Sequence, residues 1–108
     1  MTNYIQVFTT LPNQESAREM ARALVEHRLA ACVQVSGPLE STYWWRDKIE
    51  SASEWRLTAK SRVDLLPALE AAIRRHHPYD VPEILATSIV AGHPDYLEWM
   101  HHELAPDA

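Results

Sequence analysis

The segment RRHHPYDVPEIL, residues 74–85, places two imidazoles and two carboxylates close together along the chain. Imidazole and carboxylate are ligands of borderline divalent metals, and a pair such as Asp80 and Glu83 would suit acid–base work if both faced one cavity. Adjacent side chains on a continuous helix point in different directions, so His76 and His77 converge only if Pro78 ends a helix there. Glu83 returns to them only if 78–82 turns tightly. The plainer reading is a helix whose last carbonyls meet the two histidines, followed by a strand. Taken alone, the spacing favours that plainer reading; metal and catalytic readings stay open, with Asp80 read as a solvated turn residue.

The remaining chemistry-bearing residues form no recognisable set. His27 falls near a helix end, His93 precedes a proline in a turn, and His101-His102 lie near the C-terminus facing solvent. There is no CxxC and no HExxH, which argues against a high-affinity structural zinc site within one chain. Cys32 is the only cysteine, and its apolar context, LAACVQV, suits a thiol packed as a small hydrophobe. No G-x-S-x-G elbow supports a serine hydrolase. With 2 glycines the chain cannot build a glycine-rich phosphate loop, and RLTAKSR is not an RNA-binding strand. No nucleophile–base pair is apparent, so the reading is of a protein that is not an enzyme and carries no organic cofactor.

The elements that must position these residues can be read from periodicity. YIQVFTT, 4–10, is β-branched and aromatic, the composition of a strand. Asn13 can cap a helix in which Ala17, Met20, Ala21 and Leu24 repeat at helical spacing, ending near Leu29. ACVQV, 31–35, is a short strand; Gly37-Pro38 bends the chain, and LESTYWW resumes extended structure. Arg46-Asp47 marks the turn of a long hairpin, since Asp tolerates the left-handed conformation of tight turns. On the return arm Trp55, Leu57 and Ala59 alternate with Glu54, Arg56, Thr58 and Lys60, one face buried and one wet. Asp64 is expected to cap a second helix with Pro67 in its first turn and Leu65, Leu69, Ala72 and Ile73 on its buried side. EILATSIVA, 83–91, reads as a fourth strand, and Tyr96, Leu97 and Met100 as a short terminal helix.

The order β-α-β-β-α-β plus a last helix is the α+β, ferredoxin-like arrangement, expected here as a single domain over 1–108 with a long β2–β3 hairpin. Its uncovered sheet face and exposed edge must meet water or another subunit. Tyr43, Trp44, Trp45 and Trp55 load the hairpin with the aromatics that interfaces favour, so self-association through hairpin and sheet is expected. Net charge is −5, from 15 acidic and 10 basic residues, and no basic block exists, which argues against a nucleic-acid partner. No stretch approaches the ~18 apolar residues of a membrane span, no signal peptide is evident, and a lone cysteine suits a reducing compartment.

EHRLAACVQV, STYWWRDKIE, the HHPYDVPEIL segment and the closing DYLEWM resemble, in order and spacing, the CutA family of divalent-cation tolerance proteins. The resemblance runs from the first strand through the terminal helix. It implies a cytoplasmic homotrimer of ferredoxin-like subunits that binds copper (Cu2+) or another divalent metal weakly. The metal positions carried across are His76, His77 and Glu83, with Thr9 where the family has a cysteine. Thr9 offers no thiolate, which removes the soft ligand and leaves donors suited to Cu(II) or Zn(II). Asp47 stands where relatives often carry glycine, and the turn is expected to survive. Two other classes stay open: a PII-like sensor binding small anions at inter-subunit clefts, and a trimeric scaffold for a partner protein.

Overall fold

The computed structural model describes residues 3–106. Its elements run β1 (Tyr4–Leu11), α1 (Gln14–Glu26), β2 (Cys32–Trp45), β3 (Lys48–Arg62), a 3-10 turn (Val63–Leu65), α2 (Leu66–His76), β4 (Leu85–Ser88) and α3 (Pro94–Glu103). All strand pairings are antiparallel, in the sheet order β2-β3-β1-β4. This is the expected α+β, ferredoxin-like order, with the second and fourth strands at the edges.

Alternation along β1 decides which side is core. Ile5, Val7, Thr9 and Leu11 are buried, while Gln6 and Phe8 are only partly covered. Leu57 and Ala59 of β3 share the core face with them and pack against Met20 and Leu24 of α1 and Leu69 and Ile73 of α2. Each fully buried Leu or Ile side chain contributes about 1.5–3 kcal/mol, so this cluster is the main source of stability. A second, smaller cluster joins Ala31, Leu65, Met100 and Leu104, and seats α3.

The first helix begins as expected: the Asn13 side chain accepts the Ser16 N–H at 2.8 Å. It stops at Glu26 rather than near Leu29, because Arg28 turns left-handed (φ 57) and the Leu29 and Ala30 N–H groups both fold back onto the Leu24 carbonyl. Arg28 then holds the end of α3, its guanidinium donating to the Glu103 carbonyl at 2.9 Å and its own carbonyl accepting from Ala105.

Asp64 does not cap α2. The helix has no side-chain cap, and the Asp64 carboxylate instead lies 2.8 Å from the guanidinium of Arg62, a residue 1% exposed. A buried guanidinium needs an anion close by far more than a helix start needs one cap. Pro67 does sit in the first turn, and Leu65, Leu69, Ala72 and Ile73 are buried as the spacing requires.

The hairpin is a single pair of long strands with a register shift between Ser36 and Leu39. Beyond Trp55 the return strand loses β1 as a partner, so residues 39–54 form a two-stranded arm. Arg46 (φ 51) and Asp47 (φ 66) are both left-handed, and Trp45 pairs with Lys48 across them, the two-residue turn whose twist matches the strands. The fourth strand is shorter than the sequence suggests: only Leu85–Ser88 pairs, against Ile5–Phe8 of β1.

Candidate functional site

Pro78 ends α2 at His76, and His77 is extended (φ -83, ψ 135), so the two adjacent rings part company. His76 stays with the helix and lines a groove between α1 and α2 shared with His27 and Arg75. His77 swings toward the sheet. Its Nε2 lies 2.9 Å from the Thr10 carbonyl, which can only accept, and the Tyr79 N–H donates to its Nδ1 at 3.1 Å. These partners define the neutral tautomer with the proton on Nε2. The expected contact with the carbonyls of its own helix end is replaced by one with a strand carbonyl.

Tyr79 continues the chain of contacts. Its hydroxyl donates to the Glu54 carboxylate at 3.0 Å, and its ring leans on His77 with centroids 4.9 Å apart. Glu54 is 7% exposed although it belongs to the wet-face series of β3, because the 77–79 corner folds over it. Burial lowers His77 below its ordinary value of 6.5, and the Thr10 carbonyl and the Glu54 charge pull it back in part. Burial, then the hydrogen bond and charge of Glu54, push Tyr79 up from 10.0 to about 12.

The corner forms one wall of a cleft of ≈ 870 Å³ whose other wall is the hairpin arm. Glu50, Glu54 and Glu83 line it together with Tyr43, Trp45 and Tyr79, and among the described residues no basic side chain does. A lining of carboxylates with no basic side chain gives the cleft a negative potential, which favours positive charge. A separate hollow of ≈ 570 Å³ on the far side of Tyr79 is basic, with Arg74, Arg75 and His77 beside Asp80.

His76, His77 and Glu83 therefore open onto three different concavities of one chain. Among the described residues, no group of three or more His, Cys, Asp or Glu side chains is gathered as for a metal ion. Thr9 lies on the opposite face of β1 from Thr10, fully buried, with its hydroxyl lacking a hydrogen-bond partner among the described residues. Asp80 is exposed, and Cys32 is half-buried opposite Lys60 rather than in the core. Of the hairpin aromatics, Tyr43, Trp44 and Trp45 are 42%, 72% and 55% exposed, while Trp55 packs against the main core. No helix among the described residues is long and apolar enough to cross a membrane.

Sequence reasoning missed Glu54 and gave Tyr79 no role. The signal available was the tyrosine of HHPY following a proline stop, which aims a phenol back at the sheet; its partner 25 residues away leaves no local trace.

The family model described as CutA1 divalent ion tolerance protein matches residues 5–103. The chain is 46% identical over 94 residues to Protein CutA of Mus musculus, covering 87% of this chain and 53% of that protein. It is 42% identical over 94 residues to the divalent-cation tolerance protein CutA of Thermus thermophilus, covering 87% and 91%. The chain spans about half the length of the first several curated relatives it matches, which are animal and plant proteins. Among solved structures, the Thermus thermophilus divalent cation tolerance protein superposes with a TM-score of 0.92 at 38% identity, covering 94% of this chain and 99% of that one. CutA1 from Oryza sativa superposes at 0.94 and 38% identity, covering 95% and 94%.

Proposed function

The chain belongs to the CutA1 divalent ion tolerance family, and we propose that it binds divalent cations, Cu2+ foremost, in the carboxylate cleft beside the HHPY corner of a cytoplasmic homotrimer. The observation that carries this reading is the cleft itself, with Glu50, Glu54 and Glu83 on its walls and, among the described residues, no Lys or Arg lining it. Glu83 is exposed and free to turn toward an ion. His77 joins only by surrendering one of its two hydrogen bonds, and His76 only by leaving the groove between the helices. One chain thus brings a partial donor set, which water and a neighbouring copy complete; weak binding follows. With Thr9 buried and no thiolate in the cleft, the donors suit Cu(II) or Zn(II) rather than Cu(I). The exposed Tyr43, Trp44 and Trp45 supply the surface through which the arms of three copies close. Nothing in the donor set implies an organic cofactor, and the names of the relatives speak of tolerance rather than catalysis.

Calorimetric titration with Cu2+ tests the site. His76→Ala/His77→Ala and Glu83→Gln should each weaken binding, by about 10-fold or more for a lost ligand or the group that orients it. Traces indistinguishable from the parent would remove these residues from the site, and light scattering that finds a stable lone subunit would remove the trimer.

A second reading is supported by the basic hollow: Arg74 and Arg75 could hold a small anion there, as a PII-like sensor would. A sensor should be stabilised by its ligand, so thermal-shift assays with inorganic phosphate and nucleotides separate the two.

A further inference from the structure

We propose a second cation position, outside the cleft, on the outer face of α3, where Glu98 and His102 chelate one borderline divalent ion such as Cu2+, Ni2+ or Zn2+. Helical geometry places them together and outward. Met100 is fully buried and fixes the inner face of α3. At about 100° per residue, Glu98 and His102 stand two steps either side of it and so meet on the far side of the helix, roughly 40° apart. They are one helical turn from each other, and their side chains are among the freest on the molecule, 72% and 71% exposed.

The distance suits a metal. His102 Nε2 and a Glu98 carboxylate oxygen are 3.7 Å apart. An ion about 2.0–2.2 Å from both an imidazole nitrogen and a carboxylate oxygen needs the two donors roughly 3–3.5 Å apart, so closing on it requires only a small rotation of exposed side chains. The helix has already fixed the backbone of both residues, which leaves little further ordering to be done. His102 also lies in the last turn of α3, where the carbonyl ends of the helix favour positive charge. Among the described residues no third His, Cys, Asp or Glu joins them, so water completes the shell and the affinity is that of a two-donor chelate. The same pair forms an ion pair when the imidazole is protonated, and proton and metal compete for Nε2. A hard ion such as Mg2+, which prefers oxygen and keeps its water, gains little from this pair.

None of the cleft residues takes part, so the two positions can be told apart. In calorimetric titrations with Ni2+, Glu98→Gln/His102→Asn should lose one bound equivalent per chain, whereas His76→Ala/His77→Ala should keep it. Both exchanged residues are exposed, so the fold should be unaffected. In the parent protein, Ni2+ should broaden the amide signals of residues 98–103, Glu98→Gln/His102→Asn should lose that broadening, and Mg2+ should leave the signals unchanged. Equal stoichiometry in parent and Glu98→Gln/His102→Asn, or broadening at 98–103 that is absent in the parent or survives in the variant, overturns the proposal. Loss of cleft binding in the histidine pair with the α3 equivalent retained would count for the site on α3 and say nothing against it.

Discussion

At the scale of single residues, the corner is held by three polar contacts in series, Thr10 to His77, His77 to Tyr79 and Tyr79 to Glu54. Tyr79→Phe removes the donor to a buried carboxylate and should cost about 1–3 kcal/mol in denaturant unfolding. The same contacts make stability depend on pH. Tyr79 binds its proton more tightly when folded, so its contribution is complete below pH 10 and is lost as pH rises toward about 12; Tyr79→Phe should lack that alkaline decline. His77 binds its proton less tightly when folded, so its contribution is complete above 6.5 and is lost as pH falls through the lowered value. Denaturation midpoints across both ranges check the two signs. The presence of this corner was legible in HHPY, since a proline after two histidines ends a helix and frees the second ring. Its partners were not. Glu54 sits in an alternation that reads as wet, and only a contact made by a distant segment buries it. Glu83 was legible in the spacing of the same segment, Thr9 only through the likeness to a family, and the structure puts those two on opposite sides of the sheet.

At the scale of elements, periodicity located every helix and strand, and the errors fell where side chains outside the element decide. Asp64 was drawn from a cap to a buried guanidinium and α1 was cut short by a left-handed Arg28 that serves α3, while β4 pairs only over Leu85–Ser88, against Ile5–Phe8 of β1. The joint of the hairpin is the element most sensitive to one atom. A Cβ on Gly37 would lie 2.8 Å from two ring carbons of Trp55, at a φ of +158. Trp55 is also packed into the main core, so it cannot simply yield. Gly37→Ala should therefore destabilise the protein by more than about 1 kcal/mol, read as a fall in the denaturation midpoint. Because Leu39 pairs with Glu54 just past the register shift, the same change should also disturb the wall of the cleft.

At the scale of the whole molecule, the extents of 45 × 25 × 22 Å show a body drawn out in one direction, and β2 and β3, of 14 and 15 residues, are far longer than the other strands. Chain length and aromatic content made self-association an expectation, but a sequence cannot show how three copies would fit. If the tips of the arms are the contact, Trp44→Ser/Trp45→Ser should shift light-scattering mass toward the single chain at low protein concentration while leaving the helical signal in circular dichroism intact. A lone two-stranded ribbon is marginally stable in water, and among the described residues, 39–54 have only each other for ladder partners. Their amides, left alone, should trade hydrogen for deuterium almost as fast as an unfolded peptide, long before those of β1. Slow uptake there would time how long something else keeps hold of the ribbon.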